Sequence, residues 1–243
     1  MTAAETETGA RAAPGDTGVA VRRRQWLLVL LAVNSGAIDA VGYVALGGAF
    51  TSVMTGNMVL LGIATGEGDG SLALRSGLAL VCFVAGAFFG ARIVRTPRPD
   101  DPVWPASVAV AMRVELALLV VFSIGWWATG GHPAGDVQPL LLGVEAVGLG
   151  VQSSAVLRFG VSGLSTTYMT GTLTSIVSAL ANGKHPRNVL PSMQILVGLV
   201  VGAIVSTVLA KHAAQTVPAL QLVPVGCALV VHRLKAGDRA WSG

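Results

Sequence analysis

Several apolar runs, each close to the length that an α-helix needs to cross a lipid bilayer, dominate this sequence. A helix crosses the hydrocarbon core with about 20 residues. The 243 residues are 53% hydrophobic and only 12% charged, whereas soluble domains carry about 25% charged residues. The chain is therefore predicted to be an all-α integral membrane protein whose main partner is the lipid bilayer.

The apolar runs divide the chain into spans and tails. Residues 1–24 are small and polar and are predicted to be a disordered cytoplasmic tail. Residues 25–235 are predicted to form a single membrane domain, with one repeat at about 25–128 and another at about 137–232, and residues 236–243 a second cytoplasmic tail. Spans are predicted at about 26–46, 72–94, 103–127, 138–157, 189–210 and 213–231.

A short polar stretch containing Met-Thr-Gly occurs once in each half of the chain. The first copy occupies about 50–66 and the second about 163–181, and both lie between apolar segments. A GxxxG pair follows each copy at a similar distance, Gly86 with Gly90 and Gly198 with Gly202. Two motifs repeated in the same order indicate an internal duplication.

The distribution of basic residues favours a topology in which the Met-Thr-Gly stretches do not cross the membrane. If each Met-Thr-Gly stretch dips into the membrane and returns, nearly all Lys and Arg residues fall on the cytoplasmic side, as the positive-inside rule requires. The predicted fold is then six transmembrane helices in two inverted three-helix repeats, each with a re-entrant or broken Met-Thr-Gly segment, and a cytoplasmic N-terminus. Topology also accounts for the net charge of +4, so no nucleic-acid partner is expected.

Polar residues near these breaks are the predicted solute or ion pathway. Irregular backbone at membrane depth requires burial in protein or contact with water, and broken helices form the substrate sites of many transporters. The alternative is that Met-Thr-Gly is only a tight corner for helix packing. The pathway candidates are Asn34, Asp39, Met54, Thr55, Gly56, Asn57, Gln152, Ser153, Thr170, Gly171 and Thr172.

Four charged residues lie well inside the predicted spans, away from the span ends. Asp39 can bind a cation or relay a proton, or it can form a structural pair with Arg113. Arg113, Glu115 and Glu145 are predicted to be intramembrane charge partners. Because Arg113 and Glu115 are two residues apart, they face different neighbours on a helix.

No enzyme, cofactor or metal site is predicted. The four histidines, His132, His185, His212 and His232, lie in loops or at span ends, without the spacing of a zinc hydrolase. An aspartyl-type membrane protease needs two intramembrane aspartates, and only Asp39 is available. Cys82 and Cys227 have neither metal-type spacing nor a disulfide framework.

Three stretches together resemble the YoaK family (DUF1275): Gly36 to Ala40, Phe50 to Asn57, and Thr166 to Leu173. The resemblance covers about residues 25–235 and implies a bacterial inner (plasma) membrane protein with six spans and no established activity. Similar proteins carry Gln-Asn-Ala in the second half, where this chain has Gln152-Ser153-Ser154-Ala155.

Two functional hypotheses follow. The first is a transporter or channel-like protein for an unidentified small polar or ionic solute, with proton coupling through Asp39 as one version. The second is a membrane scaffold or sensor that does not transport. The GxxxG faces can pack within the chain or between copies, so a homo-oligomer is an open alternative.

Overall fold

The chain forms a bundle of helices. A computed structural model describes residues 18–95, 105–157 and 169–240, and within these ranges it contains eight α-helices and no β-strand. The helices are α1 (Gly18–Ala45), α2 (Met54–Glu67), α3 (Gly70–Val94), α4 (Ala106–Ala128), α5 (Val137–Leu157), α6 (Met169–Ala181), α7 (Pro186–His212) and α8 (Val217–Ala240). The predicted all-α class is confirmed.

Five of the described helices are long and apolar enough to cross a membrane: α1 from Gln25 onward, α3, α4, α5 and α7. Each matches a predicted span. The predicted span at 213–231 is helical as well, but its apolar part, Ala214–Val230, is shorter than the others. The structure therefore supports a multi-pass membrane protein with five candidate spans.

Both predicted tails overlap helices. Residues 18–24, assigned above to the N-terminal tail, have helical backbone and belong to α1, and α8 continues to Ala240 through part of the predicted C-terminal tail. The rest of both tails, residues 1–17 and 241–243, lies outside the described residues.

Contacts at the helix ends define the direction of each helix. Gln138, at the start of α5, donates to the Ala45 carbonyl at 3.1 Å and accepts from Arg75 near the start of α3. Trp126, near the end of α4, donates to the carbonyl of Ala214, which precedes α8. We call this side of the bundle the Ala45 end. Gln25 of α1 and Gln194 of α7 bond to each other at the opposite side, the Gln25 end.

It follows that α1, α4 and α7 run toward the Ala45 end, whereas α3, α5 and α8 run toward the Gln25 end. Among these six helices, neighbours that pack together are antiparallel except in two pairs. Those pairs are α1 with α7 and α3 with α5, which run parallel and contact each other closely. Each pair joins a helix of the first half to a helix of the second.

Glycines produce this close approach. A methyl group at Gly202 of α7 would collide with the Val33 carbonyl of α1, and one at Gly86 of α3 would collide with the Val147 carbonyl of α5. Backbones can approach to this distance only where side chains are absent. Both predicted GxxxG faces therefore pack within the chain, between its two halves.

The helices differ in how much of their surface is covered. In the apolar windows of α5 and α1, 72% and 61% of the residues are buried, against 28% for α3 and 22% for α7. The outer faces of α3 and α7 expose large apolar side chains such as Val81, Phe88, Val197 and Ile204. Such faces suit contact with lipid, so α1 and α5 form the centre and α3 and α7 the periphery.

Candidate functional site

A break between two helices lies directly before the first Met-Thr-Gly, which itself forms the first turn of α2. Residues 46–53 are not helical, and α2 starts at Met54. The break folds back along α1 to Asp39, which lies about 9 Å along the helix axis before Ala45. Gly47 lies against the Arg75 side chain of α3, so the chain leaves and returns at the Ala45 end. Of the predicted re-entrant or broken segment at about 50–66, residues 50–53 are therefore not helical, and the rest from Met54 onward is helical.

Asp39 holds this break in place. Its Oδ1 accepts hydrogen bonds from the backbone N–H groups of Thr51 at 2.8 Å and Ser52 at 2.7 Å, and from the Thr51 hydroxyl at 2.9 Å. The Ser52 hydroxyl donates to Oδ2 at 2.5 Å. Buried backbone groups outside regular structure need such partners. Asp39 therefore acts as the anchor of the break, and Arg113, its alternative partner, has an exposed side chain on α4.

Asn57 completes the fold of the break from the other side. Its Oδ1 accepts from the Phe50 N–H at 2.9 Å, and its Nδ2 donates to the Phe50 carbonyl at 2.6 Å. The Asn57 side chain is fully buried, whereas Thr55, two residues earlier, is exposed. Met54 and Gly56 are half-buried in the first turn of α2. Of the predicted pathway residues in this segment, only Asn57 faces the interior fully.

The second Met-Thr-Gly segment is described in part. Residues 158–168, which include any break before α6, lie outside the described residues. In α6, Thr170 and Gly171 are exposed and Thr172 is buried, which matches the buried position of Asn57 in α2. Met169 packs against the core that includes Leu28 and Ile195. The start of α6 therefore lies inside the bundle.

Two buried pairs of a carboxyl group and an amide cross the bundle. Asn34 of α1 donates to Glu115 of α4 at 3.3 Å, and Gln221 of α8 donates to Glu145 of α5 at 2.8 Å. All four side chains are at most 1% exposed. The predicted charge partners Glu115 and Glu145 thus bond to amides, and Arg113 pairs with neither of them. Each pair links the first and last helices of one half.

The two pairs lie along one face of α5. Glu145, Gly148 and Gln152 share that face because their spacing follows the helical repeat. A side-chain carbon at Gly148 would be 3.9 Å from the Glu115 Cγ, so Glu115 lies against this face. We call Asn34, Glu115, Glu145, Gln152 and Gln221 the polar strip.

Every member of the polar strip has one buried oxygen without a hydrogen-bond partner. These atoms are Asn34 Oδ1, Glu115 Oε2, Glu145 Oε2, Gln152 Oε1 and Gln221 Oε1. Most buried polar groups in proteins are hydrogen-bonded, and each exception needs an explanation. The polar strip is therefore the part of the described interior with the greatest unmet capacity to bind something.

The sequence predicted the polar strip incompletely. Asn34, Gln152, Glu115 and Glu145 were candidates, and Ser153 is buried beside Gln152 as expected for its position. Gln221 is absent from the predicted pathway residues and charge partners. A glutamine within an apolar run needs a hydrogen-bond partner, so the sequence could have indicated Gln221. That the partner is Glu145 depends on how α8 packs against the bundle.

Comparison with known proteins places the chain among membrane proteins of undetermined activity. The UPF0700 transmembrane protein YoaK of Bacillus subtilis (strain 168) is 32% identical over 158 residues, which cover 65% of this chain and 68% of that protein. No solved structure matches the chain significantly. The profile of the family described as "Protein of unknown function (DUF1275)" matches residues 27–232. The chain therefore belongs to the DUF1275 family, as its Asp39 and Met-Thr-Gly motifs indicated.

Proposed function

We propose that this protein transports a small polar or ionic solute across the membrane, along the polar strip at the centre of the bundle. The observation that carries the proposal is the set of unpaired buried oxygens on α1, α4, α5 and α8. Leaving a buried polar group unsatisfied costs about 1–3 kcal/mol. A protein that only packs helices together gains nothing from this cost, whereas a transport pathway requires unsatisfied polar groups.

The arrangement of the two halves supports the same proposal. α1 and α5 occupy corresponding places in the two halves and run in opposite directions, and the same is true of α3 with α7 and of α4 with α8. We infer two inverted repeats, with α8 as the sixth span. Inverted repeats with broken helices near the midplane are a common architecture of secondary transporters.

We infer the orientation from the charges at the two ends. Arg22, Arg92, Arg95, Lys184 and Arg187 lie at the Gln25 end, while Glu67, Asp69 and Asp136 lie at the Ala45 end. Cytoplasmic loops carry the excess of Lys and Arg. The Gln25 end and the N-terminus are therefore assigned to the cytoplasm of a bacterial inner membrane, and α2 and α6 are assigned to opposite sides.

One observation favours the alternative, a scaffold or sensor that does not transport. Asp39 is 6% exposed, and its four hydrogen bonds close the first break. A permanently closed break would be a packing corner. In the transporter hypothesis, the same contacts belong to a closed conformation that opens during the transport cycle.

Cysteine labelling separates the two functions. Single cysteines at Asn57, Gln152 and Thr172, in a chain with Cys82→Ala and Cys227→Ala, are treated with a charged thiol reagent in oriented vesicles. A transporter should react at one or more of these positions from an aqueous side. A cysteine at Asp136, in an exposed loop, is the positive control, and one at Val81, which is 68% exposed on an apolar face, is the control for a lipid-facing position.

Unreactive positions 57, 152 and 172 under all conditions would contradict the transport proposal and favour the scaffold. A reconstituted flux screen then completes the test. The parent chain and Gln152→Leu are compared with small solutes of each charge, and the variant is expected to lose flux because it removes an oxygen from the polar strip.

A further inference from the structure

The free atoms of the polar strip have one chemical character. All five are oxygens that accept hydrogen bonds or bind cations, and the strip's amide groups on Asn34 and Gln221 already donate to carboxyl groups. We propose that the polar strip holds a small monovalent cation, a proton included, and that the transported or coupling species is therefore positively charged. This inference rests on the proposed function for its link to transport, but the binding itself can be tested alone.

The charges around the polar strip support a positive occupant. Glu115 and Glu145 supply two buried carboxyl groups. On the remaining helices packed against α5, Cys82 of α3 lies near Gly143, and α8 contributes the neutral Gln221. No lysine or arginine among the described side chains bonds to the strip. An anionic solute would meet two acidic groups, Glu115 and Glu145, and no basic partner among the described side chains.

The number and spacing of the carboxyl groups argue for a single positive charge. A divalent metal such as Ca²⁺ takes six to eight oxygen ligands, several of them carboxylates. Within the described ranges, no three His, Cys, Asp or Glu residues cluster closely enough to hold a metal ion. Glu115 of α4 instead lies against Gly148, three residues or about one helical turn along α5 from Glu145, and each carboxyl group has one amide partner. Carboxyl and carbonyl oxygens of this kind coordinate Na⁺ or H⁺ in membrane transporters.

A binding experiment on the purified full chain tests the inference. Thermal unfolding in detergent is followed while LiCl, NaCl, KCl or NH₄Cl replaces N-methylglucamine chloride at constant ionic strength. A bound cation stabilises the folded state in proportion to the logarithm of its concentration above Kd. We expect at least one of these cations to raise Tm, and we expect Glu115→Gln and Glu145→Gln each to weaken the apparent affinity about tenfold or more.

A second measurement detects a proton as the occupant. Infrared difference spectra between acid and alkaline samples report protonated carboxyl groups that are buried. If the occupant is a proton, a buried carboxylic acid band should be present and should decrease in both Glu→Gln variants. Glu67→Gln is the matched control, because Glu67 is exposed at the end of α2 and should change neither measurement.

The outcomes are distinct. Absence of both a cation effect on Tm and a protonated carboxyl band in the parent chain would overturn the inference, even where a variant fails to fold. Flux of a neutral or anionic solute that is unchanged in both Glu→Gln variants would overturn it as well, while leaving the transport proposal intact. If a cation binds but no solute flux is measured and the cysteines at positions 57, 152 and 172 do not react, the cation site is supported and transport is contradicted.

Discussion

Asp39 and Glu145 are both carboxyl groups buried within helices, but their partners differ in kind. Asp39 accepts four hydrogen bonds from Thr51 and Ser52, including two from backbone N–H groups. Glu145 accepts one, from Gln221, and its second oxygen has no partner. A fully bonded carboxylate stabilises structure, whereas a partly bonded one retains capacity for a ligand. We therefore assign Asp39 an architectural role and propose a binding role for Glu145.

Replacing Asp39 should destabilise the fold strongly. Asp39→Ala leaves the N–H groups of Thr51 and Ser52 buried without acceptors, and each orphaned group costs about 1–3 kcal/mol. We expect a loss of about 3 kcal/mol in the free energy of unfolding, measured by denaturant titration in mixed micelles. Asp136→Ala, in the exposed loop before α5, should change stability little. Equal stability of Asp39→Ala and the parent would contradict the anchoring role.

The sequence identified the important acidic residues but could not assign their roles. Asp39, Glu115 and Glu145 stand out because charges are rare in apolar runs. Their partners depend on distant chain segments: Thr51 and Ser52 reach Asp39 only because the break folds back along α1. Gln221 reaches Glu145 only through the packing of α8. Neither contact can be predicted from helical periodicity.

At the scale of elements, helix contacts depend on glycine more than on any other residue. Gly86 and Gly90 of α3 lie on Val147 and Val151 of α5, and Gly198 and Gly202 of α7 lie on α1. In lipid, helix association depends on such close packing because there is little hydrophobic force between helices. Together with Gly36 of α1 and Gly150 of α5, which lie on Leu199 and Phe83, these glycines allow the two close helix pairs to form.

A glycine replacement tests this within a single helix. Gly86→Ala places a methyl group on the Val147 carbonyl, and overpacking of this kind costs about 1–3 kcal/mol. Gly77→Ala is the matched control in α3, because nothing lies within 4 Å of the added carbon. We expect a lower Tm for Gly86→Ala and an unchanged or higher Tm for Gly77→Ala, measured by scanning fluorimetry. Equal Tm changes in both variants would contradict the close backbone contact between α3 and α5.

Most element boundaries followed from hydropathy, and the exceptions have local causes. The acidic, glycine-rich composition of residues 66–70 favours a loop, but α2 includes Glu67 and only Gly68 and Asp69 separate it from α3. Gly68 adopts a positive φ of 74°, and the Asp69 side chain caps α3 by accepting from the N–H groups of Ser71 and Leu72. Such a turn is shorter than composition suggests because two residues suffice to end one helix and begin the next.

At the scale of the whole molecule, the ends of the bundle differ in charge. The loop before α5 at the Ala45 end contains Asp136, and the connection between α6 and α7 at the Gln25 end contains Lys184. If α8 is the sixth span, as proposed, the start of α1 and the end of α8 both lie at the Gln25 end. The positions of Lys and Arg in the sequence indicate this difference in charge between the two ends. The direction of α6, which follows residues 158–168, depends on tertiary packing.

Labelling from one side of the membrane tests the proposed topology. In the cysteine-free background, a cysteine at Asp136 should react with an impermeant reagent on intact cells in which the outer membrane is absent or permeable. A cysteine at Lys184 should react only after the inner membrane is disrupted. A cysteine at Arg22, near the N-terminus, should behave like the one at Lys184. Reaction of Lys184 and Asp136 cysteines from the same side would contradict the inverted arrangement.

The pairing of α1 with α7 and of α3 with α5 also constrains how the protein is made. During synthesis, α1 enters the lipid before its partner α7 has been made. The face of α1 that later contacts α7 is therefore exposed to lipid at first. A polypeptide cut between α4 and α5 would yield two fragments that each lack the partner of their first helix. Co-expressed fragments should find each other and restore the complete bundle, while either one alone should be degraded.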